Sequence, residues 1–290
     1  MTFKVLILGG TAEGRSLALR LADDARYETL LSYAGRTEHL QPPGVPYRVG
    51  GFGGVEGLSA FLRGEGVFDP LARPTARFDS SLAPSAPFDA PLARPVTRFD
   101  ALIDTTHPYA ARMSAHAVAA AQQTNTPLLR LERPAWRARE GDSWTHVRDM
   151  EQAARATGAL KKRVFLTVGR QETSVFACAP QHDYLVRAID DFAHRLPHAR
   201  LLLARGPFAL HDERALLERE RIELMVSKNA GTSATYAKIE AARELGIPVI
   251  MVARPMLPEA QEVTTLDAVV AWLAALHEVH HGASGSLRGV

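Results

Sequence analysis

The sequence predicts an α/β chain of two doubly wound domains with parallel sheets, and three observations lead there. Short apolar runs alternate with helical patterns along nearly the whole chain. The rhythm breaks at Arg133-Pro134 and the polar stretch to Asp142, dividing the chain into halves of similar length. A length of 290 residues also exceeds what one core usually serves.

Each element follows from its local pattern. Lys4–Leu8 reads as the first strand, and Glu13–Ala22 as a helix with Leu17, Ala18, Leu21 and Ala22 on one face. Glu28–Tyr33 and Tyr47–Val49 read as strands, Val55–Arg63 as a helix, and Ala101–Asp104 as a fourth strand. Arg112–Gln123 and Pro127–Leu131 add a helix and a fifth strand. The second half repeats the order. Its strands are Arg163–Val168, Leu185–Ile189, Leu201–Ala204, Glu223–Val226 and Val249–Val252. Its helices are Asp149–Ala156, Phe208–Arg221, Ser233–Leu245 and Leu266–Leu276. Strand alternating with helix at this spacing is the mark of βαβ units. The expected domains are residues 1–134 and 135–278, with 279–290 a flexible tail whose histidines form no functional metal site.

Residues 68–98 interrupt the first domain. They are dense in proline, and Phe68-Asp69-Pro70-Leu71-Ala72-Arg73-Pro74 is echoed by Phe88-Asp89-Ala90-Pro91-Leu92-Ala93-Arg94-Pro95. Without them Val67 runs directly into Phe99-Asp100-Ala101, so the segment reads as a surface insertion grown by duplication.

Composition excludes several functions. With 34 basic and 32 acidic residues, nothing favours nucleic acid. No apolar run reaches the ~18–20 residues of a membrane span, and the N-terminus is too quickly punctuated by glycine for a signal peptide. The single Cys178 allows no intrachain disulfide and no cysteine-rich metal site, which points to the cytoplasm. No resident metal is expected, and a monomer is the simplest state.

The chemistry concentrates in loops after strands. Gly9-Gly10-Thr11-Ala12-Glu13-Gly14-Arg15 joins the first strand to the first helix. A glycine turn there lets the backbone approach a pyrophosphate at a helix N-terminus, although Thr11 replaces the middle glycine of the usual Rossmann fingerprint. The second strand ends in Ser32-Tyr33-Ala34-Gly35-Arg36 with no acid at its tip. Ser32 and Arg36 there suit a 2′-phosphate, favouring NADP over NAD. The loop Gly50-Gly51-Phe52-Gly53-Gly54 suits a flat ligand, with Phe52 as a stacking surface, and Asp104-Thr105-Thr106-His107-Pro108-Tyr109 follows the fourth strand. In the second half Arg170, Arg205, Lys228 and Arg254 each follow an apolar strand. Four cations on one edge suit a ligand with several carboxylates, while the plain alternative is solvated loop residues.

Together these motifs resemble the precorrin-6A reductases of cobalamin biosynthesis. The carriers are Gly9–Arg15, Ser32–Arg36, Gly50–Gly54, Asp104–Ala110 and Ser227-Lys228-Asn229, in order over nearly the whole chain. The resemblance implies two Rossmann-like domains with the substrate in a cleft between them. It implies transfer of a hydride from NADPH to the precorrin-6A macrocycle, giving precorrin-6B. Gly9, Gly10, Thr11, Glu13, Gly14 and Arg15 would then hold the pyrophosphate, and Ser32 and Arg36 the 2′-phosphate. Gly51, Phe52, Gly53, Gly54 and Thr106 would flank the nicotinamide, with His107 or water as candidate proton donor. Tyr109, Arg170, Arg205, Lys228, Asn229 and Arg254 would meet the tetrapyrrole. Ala230-Gly231-Thr232 and Arg254-Pro255-Met256 depart from the family's pattern. Two other readings stay open from residues alone: a cobalt-precorrin-6A reductase, and a non-catalytic NADP-binding sensor.

Overall fold

The structure, a computed structural model, describes residues 2–34, 44–65, 67–68, 94–95, 97–193 and 196–285. The chain divides into two compact units, residues 1–132 with 257–290, and residues 133–256.

The first unit begins with β1 (Phe3–Leu8), α1 (Ala12–Ala22), β2 (Tyr27–Tyr33), β3 (Tyr47–Val49) and α2 (Val55–Leu62). A short antiparallel ladder of β4 (Val67–Phe68) and β5 (Arg94–Pro95) then precedes β6 (Ala101–Asp104), α3 (Ala111–Thr124) and β7 (Leu128–Leu131). The second unit holds β8 (Trp144–Val147), α4 (Met150–Ala156), β9 (Arg163–Thr167), β10 (Asp183–Ala188) and β11 (Ala199–Leu203). It continues through α5 (Leu210–Arg219), β12 (Leu224–Lys228), α6 (Ala237–Glu244) and β13 (Val249–Val252). The chain then returns to the first unit with β14 (Gln261–Val263) and α7 (Leu266–Gly285).

Both sheets have six parallel strands, in the orders β14-β7-β6-β1-β2-β3 and β11-β10-β9-β12-β13-β8. Each chain path runs outward from a central strand, then crosses back to its other side. The switch points are therefore β1/β6 and β9/β12, where ligands of open α/β sheets bind beyond the carboxyl ends. The sixth strands are exchanged. β8 directly follows β7 yet pairs with β13, and β14 follows β13 yet pairs with β7.

Period-2 alternation sorts β1 onto two cores. Phe3, Val5 and Ile7 pack with Leu17 and Leu21 of α1 and Val269 and Leu273 of α7, whereas Leu6 and Leu8 pack with α2 and α3. In the second unit Phe165, Leu185, Met225 and Met251 pack against Leu216, Leu217 and Ile239.

Two boundaries differ from the sequence expectation. The second domain was expected to run to residue 278, but residues 257–290 belong to the first unit. Residues 279–290 were expected to form a flexible tail, but α7 continues to Gly285. Fully buried Val269 and Leu273 anchor that helix, each contributing about 1.5–3 kcal/mol by burial. The rings of His277 and His280 make edge contacts with Phe3. Most of the proline-rich stretch lies outside the described residues. Phe99 N donates to Leu62 O at 2.9 Å, the helix-to-strand junction expected across it. Among the described residues, no helix is long and apolar enough to cross a membrane.

Candidate functional site

In the first unit the ladder runs on past the strands. Gly9 N donates to Ser32 O at 2.8 Å, and Thr105 N to Leu8 O at 3.0 Å, so the Gly9 turn and the Thr105 loop lie side by side at the β1/β6 switch point. Thr11 caps α1: its hydroxyl accepts from Gly14 N at 3.2 Å and donates to Thr105 O at 2.7 Å. Gly14 is there because a Cβ would overlap the Thr105 hydroxyl. Gly10 takes φ +119°, and no atom lies within 4 Å of where its Cβ would stand. The result is an open backbone surface heading a helix N-terminus, which favours an anion.

Glu13 sits half-buried in the first turn of α1. A carboxylate there answers the same helix dipole that a diphosphate would, so its backbone suits an anion better than its side chain. Arg15 is exposed, and its charge favours Tyr33 phenolate while burial pushes that phenol's pKa up. It therefore faces the tip of β2. Arg36 lies outside the described residues.

Ser32 is buried, and its hydroxyl accepts a hydrogen bond from Arg48 Nη1 at 2.9 Å. Arg48 also donates to the carbonyls of Gly50 (3.0 Å) and Gly51 (3.1 Å). Its guanidinium lies 4.1 Å from the Phe52 ring centroid, while Phe52 meets Phe61 edge-on at 5.2 Å. Phe52 is thus held between Arg48 and Phe61. Gly51 and Gly53 present open backbone, and Gly54 precedes α2 at φ +101°. The loops after β3 and β6 are three strand spacings apart, roughly 14 Å.

At the end of β6, buried Asp104 accepts from both the N–H (3.0 Å) and hydroxyl (2.7 Å) of Thr106. It also pairs with buried Arg130 at 3.6 Å, which reaches Glu262 and the Pro258 carbonyl of the returning segment. His107 is half-buried, and its Nδ1 accepts from Tyr109 N at 3.2 Å. The neutral imidazole then carries its hydrogen on Nε2. Tyr109 is half-buried with its ring tilted at 5.6 Å from that of His107.

The second unit reassigns several expected cations. Lys228, at the end of β12, is ion-paired with Glu172 beside Gly169. Asn229 spends its amide on Trp136, accepting from its N–H (2.7 Å) and donating to its carbonyl (2.9 Å). Arg254 donates to the carbonyls of Asn229 (3.0 Å) and Arg133 (2.7 Å). Asn229 and Arg254 therefore brace the 133–136 segment. Arg170 and Arg205 are exposed. Arg205 follows β11, two strands from β9, so the four cations do not meet at one point.

Sequence reading missed the groups behind these loops. Arg187 and buried Glu213 form a bidentate pair at 2.7 and 2.8 Å. Lys238, on α6 and buried, donates to Thr167 at 2.8 Å, and desolvation lowers its pKa to about 7. Phe165 and Phe208 sandwich Arg187, a clustering that exists only in the fold. Among the described residues no group of three or more His, Cys, Asp or Glu could hold a metal.

The chain is similar to known proteins over most of its length. The family model described as precorrin-6x reductase CbiJ/CobK matches residues 4–68 and 95–274, stepping over the proline-rich repeat. A precorrin-6A reductase from Sinorhizobium sp is 42% identical over 93% of this chain and 94% of its own. That of Rhodobacter capsulatus is 41% identical, covering 97% of this chain and 98% of its own. A solved structure titled CobK precorrin-6A reductase superposes with a TM-score of 0.80 at 41% identity, covering 95% of this chain and 97% of that one. With the fold, the glycine turn and the paired switch points all in place, this chain belongs to the precorrin-6x reductase CbiJ/CobK family.

Proposed function

We propose that this chain is an NADPH-dependent oxidoreductase that reduces a carbon–carbon double bond of precorrin-6A, giving precorrin-6B in cobalamin biosynthesis. The cobalt-free macrocycle is the substrate that both relatives' names carry. The observation that carries the reading is the open turn at the β1/β6 switch point, where glycine backbone heads α1 beside the Thr105–His107 loop.

The residues fit a dinucleotide. The backbone of Gly9–Gly14 would hold the diphosphate, and Arg15 faces the adenosine side from the first helix. Gly51, Gly53 and Gly54 follow the outer strand β3, and their loop would serve the adenosine end. Thr106 and His107 follow β6 and serve the nicotinamide end. NADPH, when bound, supplies the hydride. The protein's part is to hold the two reacting carbons together and exclude water. A proton must reach the neighbouring carbon, and the proposed donor is His107 as the imidazolium, its Nδ1 protonated in place of the bond from Tyr109 N. Exposed Arg170 and Arg205, together with Lys228, would meet the macrocycle's carboxylates, and Tyr109 its ring.

The test is incubation with precorrin-6A and each nicotinamide cofactor, following cofactor absorbance. NADPH oxidation at a far lower KM than for NADH is the expected result, and oxidation of neither defeats the enzyme reading. His107→Ala should lower kcat about 100-fold or more while leaving the KM for NADPH unchanged. Unchanged turnover would remove His107 from the chemistry.

A further inference from the structure

Resting on the reading that the first unit holds the cofactor, we infer that Arg48 is a specificity-determining residue. Its guanidinium reads the 2′-phosphate of the adenosine ribose from the end of β3, and Ser32 serves it as an anchor.

The sequence placed that task on Ser32 and Arg36 at the tip of β2. Ser32, however, is only 4% exposed, and its hydroxyl already receives Arg48 Nη1. β2 and β3 pair with Ser32 opposite Arg48, so the guanidinium stands directly beside that tip. It is fixed on three sides: by Ser32, by the carbonyls of Gly50 and Gly51, and by the Phe52 ring against its face. A second ring, Phe61, lies at 5.2 Å.

Those contacts use three of the five N–H donors of a guanidinium. Nε–H and one hydrogen of Nη2 remain, the donor pair with which arginine grips phosphate oxygens. Every partner is neutral. Among the described residues no carboxylate forms an ion pair with Arg48, although burial among rings penalises its charge and pulls its pKa down. Elsewhere in the first unit the comparable buried arginine, Arg130, has two carboxylates. An uncompensated, half-desolvated cation costs stability unless an anion completes it. The open backbone of Gly51 and Gly53 on the following loop leaves room for one. A diphosphate is the poorer candidate, because β1, whose glycine turn suits it, lies two strands away from β3.

The experiment is calorimetric titration of the full chain with adenosine 2′,5′-bisphosphate and with adenosine 5′-monophosphate, which differ only in the 2′-phosphate. The wild type should bind the bisphosphate more tightly. Arg48→Met, which keeps a stem against Phe52 but no charge, should weaken the bisphosphate about 10- to 100-fold and the monophosphate less than about 3-fold. If the methionine variant fails to fold by circular dichroism, Arg48→Lys carries the test. It keeps the charge but loses the fork, and should weaken the bisphosphate alone by about 3- to 10-fold. A folded variant that retains the wild-type discrimination, or loses affinity for both ligands equally, overturns the assignment to Arg48. Equal binding of both ligands by the wild type would instead defeat the NADPH reading on which it rests.

Discussion

The carboxyl edges of the two sheets are built in opposite ways. In the first unit the ends of β1 and β3 offer glycine backbone, a helix N-terminus and an arginine that, among the described residues, is held by neutral groups. In the second, the equivalent edge is a side-chain network whose charges are largely matched: Lys228 with Glu172 and Arg187 with Glu213. Arg254 is spent on backbone carbonyls. One edge waits for an anion to complete it, and the other is already balanced. A ligand with many carboxylates would therefore meet the second edge through its exposed arginines, while a phosphate-bearing cofactor would be gripped by the first.

Breaking a matched pair should cost more than disturbing the open edge. Glu213→Ala leaves Arg187 buried without its carboxylate, and should lower stability by about 3–5 kcal/mol in urea unfolding. A loss under about 1 kcal/mol would show that the second edge is not held by this pair. Next comes Gly14→Ala, whose added methyl meets the Thr105 hydroxyl. It should cost about 1–3 kcal/mol and weaken NADPH binding in fluorescence titration, since helix and loop must move apart.

Lys238 sharpens the comparison through pH. Its amine is buried with one hydrogen-bond partner, Thr167, and sees Arg187, Glu213 and Lys228 as its charged neighbours. Desolvation lowers its pKa from the ordinary 10.5 to about 7. Between those values the unfolded chain binds the extra proton, so stability rises with pH from 7 toward 10 and falls on return. From pH 7 to 9 the gain should be on the order of 2 kcal/mol, and Lys238→Met should abolish that slope in denaturant unfolding. The smallest effect belongs to exposed Arg170→Ala. It should leave stability within about 0.5 kcal/mol while raising the KM for the macrocycle, and an unchanged KM would place the substrate elsewhere.

Much of the fold is legible in the residues themselves. β1 and β12 announce themselves because central parallel strands are buried on both faces and read as apolar runs. The glycine turn after β1 and the loops at both switch points follow from the same logic. The exchanged strands are not legible. β8 and β14 are short, largely exposed edge strands, and no apolar pattern says which sheet they join. Charge is visible in the second unit, but its partners are not. Glu213 and Lys238 lie on helices whose spacing gives no hint that they reach the ends of β10 and β9. The same blindness hides the long-range bonds by which Asn229 and Arg254 reach residues 133–136.

The central claim is hydride transfer from a nicotinamide held on the first unit to the macrocycle. NADPH carrying deuterium at the transferable C4 position tests it directly, with the product read by mass spectrometry. Retention of that deuterium in the reduced macrocycle, with the second hydrogen drawn from solvent, is the predicted result. A product that takes both hydrogens from solvent would contradict it.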